Sequence, residues 1–355
     1  MKPDFQRLMN QATLLTRSGD LRAATTAIQA ALGRAATTGE SPAMAPANTA
    51  PDVIDVVARH VVDTKTGVSD RFIAGRHSDG TAHRDYKLYI PPGAGKQPMP
   101  LVVMLHGCTQ DPDDFARGTA MNDIARAQGF LVLYPAQSRH ANAQGCWSWF
   151  KHNHQGRGRG EPALLASMTR EVIAHHAIDP DRVYVAGLSA GGAMAAILAD
   201  AYPDIYAAVG VHSGLATGVA QDLPSALNAM KSGGGAGTRG TRGSASGVAT
   251  IVFHGDADTT VHPINSNQII MASAGMSSSV DVEPAQQAGE LASTRRVYRT
   301  QHGQVVAEHW VVHGAEHAWS GGSAKGSYTE PRGPDASAEM VRFFMANPRR
   351  PSPVH

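Results

Sequence analysis

The chain has 355 residues, which is enough for one large domain with attachments or for two domains of ordinary size. Its 31 basic and 30 acidic residues leave a net charge of +1, without the basic excess that would attract a phosphate backbone. Apolar residues make up 42% of the chain, which excludes disorder throughout, and no apolar run is long enough to span a membrane. We therefore expect a globular protein that has no nucleic-acid partner and is not an integral membrane protein.

The N-terminal residues differ in composition from the rest of the chain. Apolar residues recur at helical spacing within residues 1–32, which predicts a small helical hairpin, an accessory unit that could contact a second copy of the chain or another partner. Residues 33–51 are rich in Ala, Thr, Pro and Gly and indicate a flexible linker. The main domain is predicted at residues 52–348, followed by a disordered tail at 349–355. Charges interrupt the first segment, so we read no secretory signal and expect a cytoplasmic location.

Strand-length apolar runs recur through the main domain. Two early segments, Arg71–His77 and Tyr86–Ile90, have the pattern of extended strands. The later runs are continuously apolar, which is typical of strands covered on both faces of a parallel sheet. These later runs lie at Leu101–Leu105, Phe130–Tyr134, Val183–Ala186, Ala207–Val211, Thr250–Phe253 and Val305–Val312.

Helical patterns separate these strands. Pro162–Ala174 places apolar residues on one face, and Gly191–Ala201 is rich in alanine. Strands that alternate with helices predict βαβ units, so the fold class is α/β, with a mainly parallel central sheet and helices on both faces. The exception is Lys231–Gly247, whose low complexity predicts a mobile surface loop.

The pattern G-x-S-x-G occurs at residues 187–191, between a predicted strand and a predicted helix. A strand that turns directly into a helix places the central Ser189 in a tight conformation, and the flanking glycines avoid clashes with neighbouring backbone. Its hydroxyl then projects above the sheet, and the N–H groups at the start of the helix face any oxyanion formed there. We therefore predict that Ser189 is a nucleophile.

A serine nucleophile needs a base, and the base needs an orienting carboxylate. In a doubly wound sheet both should lie in loops that directly follow strands, because the site forms at the carboxyl ends of the strands. The loop after Val312 contains His317, which we predict to be the base. The loop after Phe253 offers Asp258 as the predicted acid. Asp256 is the alternative, although it is better placed to hydrogen-bond its own loop.

The oxyanion hole needs a second backbone donor from a loop after an early strand. Residues 105–110, LHGCTQ, directly follow the central apolar strand, and their glycine permits the backbone to turn toward the site. We expect the two donors to be the amides of Cys108 and Ala190.

Four stretches of the chain belong together: LHGCTQ at 105–110, CWSWF at 146–150, GLSAGG at 187–192 and HGDAD at 254–258. They resemble the polyhydroxybutyrate depolymerase family of α/β-hydrolase esterases, which is related to feruloyl and acetylxylan esterases. The first stretch is similar to the LHGCxQ signature of that family, and the match covers roughly Arg71 to Met345.

The resemblance implies an α/β-hydrolase fold, a serine triad of Ser189, Asp258 and His317, an ester substrate of the short-chain hydroxyalkanoate type, polymeric or oligomeric, and no cofactor. The N-terminal helices fall outside the match; by themselves they could serve as a docking module for a partner or a granule surface. The absence of an export signal departs from the secreted members of the family. Two alternative functions stay open: a feruloyl or acetylxylan type of esterase, and a non-catalytic granule-binding or partner-binding protein on a hydrolase scaffold.

The only cysteines, Cys108 and Cys146, both follow predicted strands at the same edge of the site. A disulfide between them would fix the position of an oxyanion donor, whereas a reducing cytosol would keep both as thiols. Trp147, Trp149 and Gln110 are candidates for the substrate pocket, and core packing is the alternative for the tryptophans.

Paired histidines occur at His152 and His154 and at His175 and His176, but the further ligands that a zinc site requires are absent from the sequence around them. We predict no metal.

Overall fold

The structure, a computed structural model, describes residues 69–80, 82–234, 247–275, 279–285 and 290–349. The predicted hairpin at 1–32, the linker at 33–51 and the predicted start of the main domain at residue 52 lie outside the described residues. The granule and oligomer contacts expected of the hairpin therefore stay predictions.

Ten strands form one sheet, in the spatial order β1-β2-β4-β3-β5-β6-β7-β10-β9-β8. The strands are β1 Arg71–Ser78, β2 His83–Ile90, β3 Met99–Leu105, β4 Leu131–Pro135, β5 Ile178–Leu188, β6 Ala208–His212, β7 Ala249–Gly255, β8 Ser279–Ala285, β9 Ser293–Arg299 and β10 Val305–Val312. A small two-stranded sheet pairs β11 Trp319–Ser320 with β12 Thr329–Glu330.

Six strands in the centre of the large sheet all run parallel to one another. In spatial order they are β4, β3, β5, β6, β7 and β10. The outer pairs are antiparallel, with β1 and β2 at one edge and β9 and β8 at the other. Parallel strands end at the same edge of a sheet, so the loops after β3, β5, β6, β7 and β10 come together there. This confirms the predicted α/β class with a mainly parallel sheet.

Helices cover both faces of the sheet. They are α1 Pro112–Thr119, α2 Met121–Gln128, α3 Gly160–His175, α4 Ala190–Ala201, α5 Leu223–Ser232, α6 Ile264–Ala274 and α7 Ala336–Ala346, with one 3-10 turn at His152–His154. Alternate residues of β3 contribute to different cores: Leu101 and Val103 pack with α3 and α4, whereas Val102 and Met104 pack with α1, α2 and α7. This two-sided burial explains why the strand is apolar at every position.

Three features differ from the sequence expectations. The strands β8 and β9 were not predicted, because neither is a continuous apolar run: both are rich in charged residues, and most of their described side chains are exposed or half-buried. Lys231 and Ser232 form the last turn of α5, so the predicted mobile loop does not begin at Lys231, and residues 235–246 of it lie outside the described residues. Arg349 does not belong to a disordered tail, since its guanidinium donates to Asp181 at 2.9 Å.

Candidate active site

Ser189 occupies the turn between β5 and α4, at the carboxyl edge of the sheet. Its φ of 57° and ψ of −118° lie outside the regions that L-residues with a side chain ordinarily adopt. Such a conformation costs on the order of 1–3 kcal/mol and persists only where the surroundings impose it. The side chain remains partly exposed, so the strained turn presents the hydroxyl to the surface.

The two glycines of the motif let this turn pack against backbone. A Cβ atom on Gly187 would come within 2.4 Å of the carbonyl carbon of Gly191. A Cβ atom on Gly191 would lie 2.0 Å from the carbonyl oxygen of Leu105, the last residue of β3. No side chain fits at either position. The spacing of the motif therefore brings the start of α4 directly onto the loop that follows β3.

Asp258 lies in the loop after β7 and is only 4% exposed. One carboxylate oxygen accepts hydrogen bonds from the amides of Thr260 at 2.9 Å and Val261 at 2.8 Å. The other oxygen lies 2.7 Å from Nδ1 of His317. The carboxylate is thus oriented by its own loop and directed at a histidine from the next strand of the sheet.

The surroundings of Asp258 favour its ionised form. Burial by itself raises the pKa of this carboxyl, but the contacts with His254 and His317 and the Val261 amide lower the pKa by more, so that it lies well below its usual range. An ionised carboxylate can only accept hydrogen bonds, so Nδ1 of His317 must be the donor. In the neutral imidazole, Nε2 then carries the lone pair and is able to accept a proton.

His212, at the end of β6, connects the Ser189 turn to the loop that carries His317. Its carbonyl oxygen accepts a hydrogen bond from the amide of Ser189 at 2.9 Å. Its ring accepts one at Nε2 from the amide of Ser320, also at 2.9 Å, and stacks on Trp319 at 5.1 Å between ring centroids. Burial lowers the pKa of His212 well below its usual value, so the ring is neutral and can accept that bond.

Sequence reasoning missed His212, although it directly follows the predicted strand Ala207–Val211. The criterion that selected the loops after β7 and β10 would have found it, because it too lies at a strand end.

The alternative acid, Asp256, has a different partner. It lies 2.8 Å from Nδ1 of His313 and accepts a hydrogen bond from the amide of Gly314 at 2.7 Å. Both side chains of this pair are more than 40% exposed. The structure thus pairs Asp258 with His317 inside the site and Asp256 with His313 on the surface.

The loop after β3 faces the start of α4. Nδ1 of His106 donates to the carbonyl of Gly107 at 2.8 Å, and Oε1 of Gln110 accepts from the Gly107 amide at 2.9 Å. Cys108 forms a disulfide with Cys146, with a sulfur–sulfur distance of 2.08 Å. No hydrogen bond found among the described residues uses the amide of Cys108. That amide is therefore free to donate to another oxygen.

Ala190 is the first residue of α4, and the first N–H groups of a helix have no acceptor within it. The amide of Ala190 is at the start of α4, and the amide of Cys108 is in the loop after β3. The close approach of Gly191 to Leu105 brings these two segments together. This arrangement can stabilise a negatively charged oxygen.

The residues predicted to line a pocket are largely buried. Trp147 is fully buried, with Nε1 donating to the carbonyl of His106 at 3.0 Å, so it packs in the core and does not line an open pocket. Trp149 is 6% exposed and packs edge-on against Phe150. Gln110 is 8% exposed. Its Nε2 donates to Oδ2 of Asp114 at 3.0 Å, and its Oε1 accepts from the amide of Gly107. Trp147 and Gln110 thus hydrogen-bond the loop after β3, and a pocket role for Trp149 and Gln110 stays a prediction.

The described part of the chain contains no cluster of three or more His, Cys, Asp or Glu side chains that could bind a metal ion. None of its helices has the length and apolar character needed to cross a membrane.

The sheet order and the serine at the turn after β5 define the α/β-hydrolase fold. A solved acetyl xylan esterase from Aspergillus awamori superposes with a TM-score of 0.59 at 17% identity, over 77% of this chain and 99% of that one. Residues 84–296 match the family model of esterase PHB depolymerase. Since the match covers more than half of the chain, the protein belongs to this family, as the resemblance predicted.

Two curated relatives have names that describe different esters. Poly(3-hydroxyalkanoate) depolymerase C of Paucimonas lemoignei is 30% identical over 229 residues, which are 61% of this chain and 54% of the relative. Feruloyl esterase B of Thermothelomyces thermophilus is 34% identical over 140 residues, which are 39% of this chain and 47% of the relative. The chain therefore spans about half the length of these curated relatives.

Proposed function

We propose that the protein is a serine carboxylic-ester hydrolase in which Ser189 is the nucleophile, His317 the general base and acid, and Asp258 the residue that orients His317. The observation that carries this proposal is the 2.7 Å contact between Nδ1 of His317 and the buried, ionised carboxylate of Asp258. This contact leaves Nε2 of His317 without a hydrogen. His212 accepts hydrogen bonds from the amides of Ser189 and Ser320, and so links the Ser189 turn to the segment that follows His317. A nucleophile held on a strained turn and a base of fixed tautomer are what acyl transfer requires.

In the first half of the reaction, Oγ of Ser189 attacks the ester carbonyl carbon while its proton passes to Nε2 of His317. The carbonyl electron pair moves onto oxygen, where the amides of Cys108 and Ala190 stabilise the negative charge. Asp258 stabilises the imidazolium that has formed. The tetrahedral intermediate then expels the alcohol, which takes the proton from His317, and the acyl group remains on Ser189.

In the second half, a water molecule gives a proton to His317 and its oxygen attacks the acyl carbon. The second tetrahedral intermediate collapses, the bond to Oγ breaks, and Ser189 regains its proton from His317. The products are a carboxylic acid and the free enzyme. No cofactor takes part in either half.

For the substrate we propose an ester of a short hydroxy acid, as in a polyhydroxyalkanoate polymer or its oligomers. Membership of the family supports this choice, as does the similarity to a depolymerase over 61% of this chain. Ser189 and His317 both retain exposed surface, so a segment of a polymer can reach them. Activity on feruloyl or acetylxylan esters is the second candidate, favoured by the 34% identity to feruloyl esterase B over 39% of this chain and the 28% identity to a probable acetylxylan esterase A over 50% of it.

The test is a side-by-side assay of purified protein on p-nitrophenyl butyrate, hydroxybutyrate oligomers, acetylated xylan and methyl ferulate, repeated with Ser189→Ala. The variant should lose several orders of magnitude in kcat with an almost unchanged melting temperature. Retention of more than about a tenth of the activity contradicts the assigned mechanism. Highest kcat/KM on the oligomers supports the proposed substrate, whereas preference for ferulate or xylan esters supports the second candidate. Inactivity on all four indicates a non-catalytic binding protein.

A further inference from the structure

A second histidine lies against the carboxylate of Asp258. His254 is in β7, and 1% of it is exposed. Its Nε2 is 2.8 Å from the carbonyl oxygen of Val261 and 3.3 Å from Oδ2 of Asp258. This is the same carboxylate oxygen that His317 contacts at 2.7 Å, so one oxygen of Asp258 is close to two imidazole rings.

The chemistry of its neighbours determines the tautomer of His254. The Val261 carbonyl oxygen can only accept, so Nε2 must carry the hydrogen. In the neutral ring Nδ1 is then a lone pair, and this buried nitrogen has no hydrogen-bond partner among the described residues. The ring borders a cavity of about 260 Å³ that is also lined by His309 and Arg296. His254 therefore presents an N–H group, and not a lone pair, to Asp258.

The position of this N–H matters for the charge of Asp258. Burial raises the pKa of the Asp258 carboxyl, and the contact with His254 is the foremost of the interactions that lower it again. Asp258 is buried on a loop where an ionised carboxylate without N–H neighbours would be costly. The backbone amides of Thr260 and Val261 donate to Oδ1 of Asp258. The side chains that contact Oδ2 are those of His254 and His317.

We propose that His254 is a positioning residue of the catalytic machinery, which fixes the orientation and charge of Asp258 through the carboxylate oxygen that His317 also contacts; the inference rests on the proposed function. Without its N–H, Asp258 would lose one of the contacts that hold Oδ2 in place. The His317 ring would then adopt less often the orientation in which Nε2 accepts the proton of Ser189. The substrate does not touch His254, so kcat should fall while KM stays nearly constant.

The experiment compares two substitutions of similar size in the full chain, with p-nitrophenyl butyrate as the substrate. The amide of His254→Gln can place an N–H near the position of Nε2, whereas His254→Met cannot. We expect His254→Met to lower kcat by about 10- to 100-fold with KM within about twofold of the wild type. His254→Gln should stay within about threefold of the wild type. His309→Met is the matched control. It removes a buried ring that lines the same cavity, but this ring does not contact Asp258, so kcat should stay near that of the wild type.

A folded His254→Met with wild-type kcat overturns the inference, and so does a His254→Gln that is as impaired as His254→Met. If His254→Met does not fold, His254→Asn replaces it. Its amide ends near the position of Nδ1 and does not reach Asp258, so Asn should be impaired where Gln is not; equal activity of the two overturns the inference. Ser189→Ala separates the two proposals. If it stays active, the proposed function fails and this inference falls with it, whereas an inactive Ser189→Ala beside an unimpaired His254→Met refutes the inference alone.

Discussion

Asp258 and His317 are 59 positions apart in the chain, yet Oδ2 of one lies 2.7 Å from Nδ1 of the other. The two residues follow β7 and β10, which are neighbouring parallel strands. A second pair, Asp256 and His313, follows the same two strands at 2.8 Å but on the exposed surface. Two Asp–His contacts of similar length thus differ in burial, and a hydrogen bond to a charged group is stronger where water is excluded.

This difference predicts unequal effects of two conservative substitutions. Asp258→Asn should lower kcat by about four orders of magnitude, because an amide at this position no longer imposes the required tautomer on His317. Asp256→Asn should stay within about threefold of the wild type, since it disturbs only an exposed pair. Steady-state kinetics on p-nitrophenyl butyrate, with circular dichroism to establish folding, checks both. The reverse order of effects would show that Asp256 is the acid.

The nucleophile turn should not accept a methyl group at Gly191. A Cβ atom there would lie 2.0 Å from the carbonyl oxygen of Leu105, and this neighbour is backbone that cannot move aside. We expect Gly191→Ala to lower the free energy of unfolding by about 3 kcal/mol or more, or to prevent folding. Gly156→Ala is the control, since the nearest atoms to its Cβ belong to the flexible Arg159 side chain at 3.5 Å. Urea denaturation curves that coincide for the two variants would contradict this interpretation.

The disulfide between Cys108 and Cys146 closes a loop across 38 positions. In the chain-entropy model a loop of this length stabilises the folded state by about 4 kcal/mol. The double substitution Cys108→Ala and Cys146→Ala should therefore lower the melting temperature. It should also lower kcat, because the disulfide restrains the loop whose amide at position 108 is a proposed oxyanion donor.

Dithiothreitol provides an internal control, because the chain contains no other cysteine. The reductant should lower the melting temperature of the wild type toward that of the double variant and should leave the variant unchanged. A wild type whose melting temperature and turnover are indifferent to the reductant would show that the disulfide has no role in stability.

The lowered pKa of Asp258 makes a prediction about stability against pH. A carboxyl whose pKa is lower in the folded than in the unfolded protein stabilises the fold at pH above its unfolded pKa, about 4, and this contribution disappears as pH falls through the folded pKa. Asp258→Asn should therefore be less stable than the wild type at pH 7, and the difference should shrink as pH is lowered from 5 to 3. Urea titrations at several pH values measure it, and a difference that is independent of pH would contradict the assignment.

Much of the central sheet was predictable from short stretches of sequence. Each central strand is buried on both faces, so its composition alone identifies it, as at Leu101–Leu105. The edge strand β8 has no such signal, because its two exposed valines, Val280 and Val282, alternate with charged residues and pack against little. Its place beside β9 depends on pairing between segments, which local composition does not record.

The sequence by itself determined the class of fold, the nucleophile turn and the short list of acids and bases at strand ends. These depend on local patterns: apolar runs, glycine spacing and residues that directly follow strands. Only the tertiary structure decided which aspartate meets which histidine, that Trp147 belongs to the core, and that His212 and His254 lie beside the site. Those outcomes depend on distances between residues far apart in the chain. Seventeen histidines are alike in sequence, and only packing gives each of them its partners.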